Sequence, residues 1–155
     1  MAETEAASSG KSWLTIESDI KNGCDIAALF IANDGSVSIS SAHTNVFVCN
    51  GKEARRIKGQ RFFVGEGNIE SKDDVKTIHI PANPDNKFYI ASDGLFDQPG
   101  GKLSRPFGYK AFEKIILENH AEKQRVISAK IWAAYEKYRG EEPRVDDFEL
   151  VTFKP

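Results

Sequence analysis

The sequence predicts an α+β domain in which several antiparallel strands precede two helices and one closing strand. Three observations carry that expectation. Up to residue 92 the apolar residues come in short alternating or continuous blocks separated by Asn, Asp, Gly and Pro, as in strands joined by tight turns. From residue 108 the apolar spacing lengthens to a helical period. Residues 148–153 then return to a strand-like pattern. Strands grouped together and helices grouped together, in place of βαβ alternation, read as α+β.

The first 12 residues read as a disordered tail or linker, because Ala, Glu, Ser and Gly offer little apolar area against the entropy of ordering. Residues 13–20 are ambiguous, with apolar side chains at Trp13, Leu14, Ile16 and Ile20. The nearly continuous apolar run 26–32 is expected to be a strand buried on both faces. Asn33-Asp34-Gly35 closes it with a tight turn, and residues 36–40, with Val37 and Ile39 on one face, complete a hairpin. A second hairpin joins 46–49 to 54–57 about Asn50-Gly51. A glycine-rich loop follows at 63–68.

Along 75–80, Val75, Thr77 and His79 alternate with Ile78 and Ile80, and 81–86 form a turn. Residues 87–92 are the most hydrophobic late strand and run directly into Asp93-Gly94. A loop over 95–108 leads to the first helix, which begins near Gly108, carries Phe112, Ile115 and Ile116, and fades at Asn119-His120. The second carries Ile127, Ile131, Ala134, Tyr135 and Tyr138 and ends at Gly140, a residue suited to the position just past a helix. In the last strand Phe148, Leu150 and Thr152 face together. No internal repeat and no second domain are visible.

Composition narrows the function classes. The 155 residues have the length of one domain, and 40% hydrophobic with 28% charged residues is a globular mixture. Basic residues number 21 and acidic ones 23, a net charge of −2. That gives no footprint for sequence-independent nucleic-acid binding. No apolar run approaches the ~18 residues of a membrane span. The opening MAETEAASSGK lacks a basic n-region and an apolar h-region, so it does not read as a secretory signal. Cys24 and Cys49 cannot build a disulfide scaffold, which makes a reducing cytoplasm the default. Without metal spacing, both read as buried small hydrophobes.

Two acidic positions stand out. Asp93 ends an apolar strand and is followed by Gly94, while Asp146-Asp147 immediately precedes the last strand. If those strands are neighbours, the carboxylates converge at one sheet edge, and hard divalent cations take oxygen ligands of this kind. The plainer alternative is that Asp-Gly is an ordinary turn and Asp-Asp a solvated loop. Asp97, Gln98, Gly100 and Gly101 lie just beyond, and their glycines fit a mobile flap beside Asp93 or an ordinary exposed connection. His79 reads as a surface or core histidine, and His120 as a helix-terminal one. Arg55 and Arg56 with Lys52 and Lys58 form a small basic cluster, either a solvated face or a docking point for a phosphoprotein.

The stretch FYIASDGLFDQPGGKLSRPFGYKAFEKII, followed by a helix and RVDDFELVTF, resembles the C-terminal part of the PPM (protein phosphatase 2C-like) serine/threonine phosphatases, and most of all their bacterial SpoIIE/RsbU branch. The segment from Gly23 to Leu29, Ser41-Ala42-His43 at an Ala-Gly-His position, and Lys58-Gly59 with Val64-Gly65 follow the same order. His43 there is expected to shape a turn. The resemblance implies an antiparallel β-sandwich flanked by helices and lacking its N-terminal part, with residues 13–155 as the C-terminal portion of a SpoIIE-like phosphatase domain. It implies hydrolysis of phosphoserine or phosphothreonine esters with two Mn²⁺ or Mg²⁺ ions, Asp93 and Asp146 as metal ligands, and Gly94 and Asp147 as supporting residues.

A phosphorylated protein would be the substrate, such as a STAS-domain anti-sigma-factor antagonist, with an upstream sensor domain and a homodimer as further expectations. No nucleic acid and no membrane span are expected. The family also uses two earlier aspartates, one of them in an Asp-x-x-Gly-His-Gly type turn, and neither is present. Asp19 and Asp25 stand in other contexts, and Asp34-Gly35 belongs to a hairpin. Two carboxylates alone are expected to bind metal weakly. A catalytically inactive, partner-binding phosphatase-like module is therefore the alternative, and a chance match in an unrelated α+β domain the third.

Overall fold

The computed structural model describes residues 24–62, 64 and 71–155. The tail at 1–12, the segment 13–20 with Asp19, Gly23, and the glycine-rich loop apart from Val64 lie outside the described residues. Two antiparallel sheets are stacked, and helices cover one of them. The first sheet has the order β1-β2-β5, from β1 (Ile26–Ile31), β2 (Val37–Ala42) and β5 (Ile78–Ile80). The second has the order β4-β3-β6-β9, from β3 (Val46–Cys49), β4 (Ala54–Ile57), β6 (Lys87–Ala91) and β9 (Leu150–Phe153).

Alternation along the strands explains the two cores. Val46, Val48, Ile57 and Phe88 of the second sheet meet Val37, Ile39 and Ile80 of the first. The opposite side chains of the second sheet, Phe47, Cys49, Tyr89 and Ala91, meet the helices. A strand covered on both faces must be apolar at every position, and all four residues of β3 are buried. On the helix side stand α1 (Asp93–Phe96), α2 (Gly108–Glu118) and α3 (Gln124–Arg139). They contribute Phe96, Phe112, Ile116, Ile127, Ile131 and Tyr135. The start of α2 at Gly108 and the ends of α2 and α3 match the sequence expectation, including Gly140 with φ +58° after α3.

Both hairpins form at the expected turns. Gly35 and Gly51 adopt φ of +85° and +82°, where a side chain would be strained. The Asp34 carboxylate accepts from the backbone N–H and the hydroxyl of Ser36, which holds its pKa below the ordinary value.

Three expectations need correction. The apolar run 26–32 is not buried on both faces. Within it β1 is, among the described residues, an edge strand whose Ala27 and Leu29 touch the inter-sheet core, while Phe30 is 69% exposed. Run length reports β-propensity and cannot distinguish a central strand from an edge. Second, Cys24 is exposed, whereas Cys49 is buried as expected, and burial pushes the Cys49 thiol up. Third, the loop 95–108 holds more structure than expected. It contains the second half of α1 and the ribbon of β7 (Pro99–Gly100) with β8 (Arg105–Pro106).

Candidate metal centre

Sheet register brings the two acidic segments together. β6 and β9 are antiparallel neighbours with Ala91 opposite Leu150, so the chain leaving β6 and the chain entering β9 lie side by side. Ser92 fastens them. Its N–H donates to the Glu149 carbonyl (3.1 Å) and its hydroxyl to the Asp147 carbonyl (2.8 Å), and the Glu149 N–H donates to the Ser92 hydroxyl (2.9 Å).

Gly94 then packs against the Asp146-Asp147 backbone. A Cβ at Gly94 would overlap the Asp147 carbonyl oxygen and stand 3.1 Å from the Asp146 carbonyl carbon. The glycine is needed for space, since it is not among the glycines with positive φ. Asp93 and Gly94, expected as a turn, form the first turn of the short α1, where the Asp97 N–H donates to the Asp93 carbonyl. Asp146 sits in the approach to β9, and its Oδ1 accepts from the Asp147 N–H (2.7 Å).

A cleft of about 660 Å³ opens at this end of the second sheet. Four acids line it, Asp25, Asp93, Asp97 and Glu149, together with His43, Asn45 and Tyr109. Asp146 is outside the lining. His43 takes φ +54° at the link from β2 to β3, consistent with shaping a turn. Gly59 fits tightly beneath it, because a Cβ there would come within 2.7 Å of the His43 carbonyl carbon and the Thr44 oxygen. Arg56 of the basic cluster lies over the Tyr109 ring, 4.0 Å from its centroid. His79 bonds the Ser38 hydroxyl, and His120 the Asp85 carbonyl. Neither lines the cleft.

The glycines and Gln98 beyond α1 are closely packed. Gln98 is fully buried. Its Oε1 accepts from the Tyr135 hydroxyl (3.0 Å) and the Val145 N–H (3.4 Å), and its Nε2 donates to the carbonyls of Pro143 (2.9 Å) and Pro99 (3.0 Å). A Cβ at Gly100 would overlap the Tyr138 carbonyl oxygen. Gln98 and Gly100 thus seat this segment against α3. Asp97 faces the cleft, and Gly101 turns the chain at φ +65°.

The donor chemistry suits a hard divalent cation, since carboxylate oxygens on two touching segments are what such an ion binds. The number of donors falls short: among the described residues no three Asp, Glu, His or Cys side chains group closely enough to hold a metal. Ser92 and Glu149 escaped the sequence reading. Only the β6–β9 register gives them a role, although Glu149 does alternate with Phe148 and Leu150.

This stacking of sheets and helices matches solved phosphatase domains. The PP2C domain of SiaA from Pseudomonas aeruginosa superposes with a TM-score of 0.79 at 23% identity, over 88% of this chain and 54% of that one. The chain has a PP2C phosphatase fold. The phosphatase domain of SpoIIE from Bacillus subtilis gives 0.55 at 14% identity, over 91% of this chain and 62% of that one. The serine/threonine phosphatase PstP/Ppp of Mycobacterium tuberculosis gives 0.55 at 13%, over 90% and 63%. The chain therefore spans between about half and under two thirds of these PP2C structures. No family model and no curated protein matches the sequence.

Proposed function

We propose that this chain is the C-terminal portion of a metal-dependent protein-serine/threonine phosphatase of bacterial signalling, with Asp93 and Asp146 as metal ligands. The observation that carries the reading is the seating of Gly94 on the Asp146-Asp147 backbone, which sets the segments bearing both aspartates against each other at the end of the second sheet. The PP2C fold supports it, and one matching SpoIIE structure was soaked with manganese.

Asp93 and Asp146 would hold Mn²⁺ or Mg²⁺, and Gly94 and Asp147 would fix their spacing. A bound divalent ion supplies a lowered pKa for water and neutralises charge on the phosphoryl oxygens. The substrate is a phosphorylated protein, with a STAS-domain anti-sigma-factor antagonist as the specific candidate, acting in the cytoplasm. An upstream sensor domain and a homodimer complete the proposal.

The test is hydrolysis of p-nitrophenyl phosphate with and without Mn²⁺, beside metal-dependent melting. Turnover that Asp93→Asn abolishes supports the phosphatase reading. No turnover and no rise in Tm with Mn²⁺ overturns it for this chain. A second reading has its own observation: the lack of a three-donor cluster among the described residues favours a catalytically inactive module that binds a partner through the same surface. That module would bind a phosphoprotein without hydrolysing it.

A further inference from the structure

We propose that Gln98 is a positioning residue that, together with Ser92, sets the approach of Asp146 to Asp93. This rests on the reading of those two aspartates as metal ligands. Ser92 and Gln98 stand on either side of Asp93 along the chain, and each grips the loop that carries Asp146. Ser92 holds its far end, through the Asp147 carbonyl and the Glu149 N–H. Gln98 holds its near end, through the Pro143 carbonyl and the Val145 N–H. Asp146 lies between the two grips.

The body that links Ser92 to Gln98 is short and well anchored. α1 spans it, with Leu95 and Phe96 buried in the helix-side core. Gln98 is itself oriented by the Tyr135 hydroxyl of α3, and the Phe107 N–H donates to the Gln98 backbone carbonyl. Glu136 adds an outer tie by accepting from both Arg139 and Arg144.

A buried primary amide suits this task. It presents one acceptor and one donor edge in a fixed plane, and here the acceptor edge meets an N–H and a hydroxyl while the donor edge meets two carbonyls. Methionine keeps the length and loses every bond. Glutamate keeps the acceptor edge and sets a charge against the carbonyls of Pro143 and Pro99.

The experiment compares wild type, Gln98→Met, Tyr135→Phe and a control, Ile39→Val, which trims the core between the sheets. Amide hydrogen exchange over residues 143–149 is measured without metal, and Mn²⁺ affinity is measured by the spin-resonance signal of the free ion. Exchange in Gln98→Met should rise about tenfold over 143–149 and Mn²⁺ affinity should fall about tenfold, the usual scale for removing a residue that orients a ligand. Tyr135→Phe, which keeps the glutamine but removes one of its bonds, should move both in the same direction by less. Ile39→Val should move neither.

A folded Gln98→Met with wild-type exchange and affinity overturns the proposal. If that variant does not fold, wild-type exchange over 143–149 in Tyr135→Phe overturns it instead. Wild type binding Mn²⁺ no better than Asp93→Asn would sink the ligand reading. Exchange would then still judge the clamp, faster exchange in Gln98→Met supporting it and unchanged exchange overturning it.

Discussion

Gly94→Ala is the sharpest single perturbation of this site. The added methyl would overlap the Asp147 carbonyl oxygen and crowd the Asp146 carbonyl carbon. Neither is the end of a flexible side chain, so relief requires backbone movement. α1 and the approach to β9 must part by on the order of 1 Å to restore van der Waals distance. Overpacking of this kind costs about 1–3 kcal/mol.

The Ser92 hydroxyl bonds to Asp147 and Glu149 stand directly beside the clash. Stretching them adds about 0.5–1.5 kcal/mol for each bond lost. A total of about 3 kcal/mol corresponds to a Tm loss of roughly 6–12 °C in a domain of this size. Thermal melting followed by circular dichroism measures the loss, and a Mn²⁺ titration measures the effect on the proposed ligands.

Gly108→Ala is the control. It has a positive φ of +76° and, among the described residues, no atom within 4 Å of the added Cβ, so it meets backbone strain alone, about 1–2 kcal/mol. A Gly94→Ala protein that melts with wild type, or loses less than Gly108→Ala, would refute the contact on which the site is built.

Three further outcomes follow from the packing. The buried Tyr89 hydroxyl has no hydrogen-bond partner among the described residues, and burial drives its pKa well up. Tyr89→Phe should therefore match or exceed wild-type stability by up to about 1–2 kcal/mol, and a clear loss in denaturant melts would reveal a missed partner. Phe30→Lys on the open side of β1 should shift stability by less than about 0.5 kcal/mol, whereas a core-sized loss would mean that Phe30 is covered. Glu136, whose carboxyl is held below its ordinary 4.5 chiefly by the hydrogen bond from Arg139, stabilises the fold above that value. The benefit fades as pH falls through the lowered one, so the Tm advantage of wild type over Glu136→Gln should shrink between pH 7 and pH 3.

Features set by neighbours in sequence were legible, and those set by partners in space were not. The turns at Asn33-Asp34-Gly35 and Asn50-Gly51, the stripes of α2 and α3 and the stop at Gly140 all depend on local chemistry, and all form as expected. Asp93 and Asp146 could be singled out because each flanks an apolar strand, but the meeting of the two segments that bear them needed the β6–β9 pairing. Ser92 and Gln98 stayed hidden for a different reason. Their partners in the Asp146 loop are backbone carbonyls and N–H groups, which every sequence provides and none advertises. The role of Gly100 is hidden in the same way, because the group its missing side chain avoids is the Tyr138 carbonyl, far along the chain.

The site also sits on the best-supported part of the fold, and that placement has a measurable consequence. β6 is hydrogen-bonded on both edges, to β3 and β9, and apolar on both faces, with Phe88 toward the first sheet and Tyr89 toward the helices. Asp93 follows it after one residue. β1 is the reverse case, paired only with β2 among the described residues and largely exposed. Local opening is easiest where few apolar contacts and many solvent-facing backbone bonds coincide. Amides of β3 and β6 should therefore exchange only through global unfolding, while those of β1 exchange through local opening at far lower free energy. Because Asp93 is carried by the slow element, the geometry between β6 and the Asp146 loop should persist when β1 opens. Exchange at β6 as fast as at β1 would show instead that the two sheets open as one unit, and that the end of the second sheet has no rigidity of its own with which to hold two carboxylates in place.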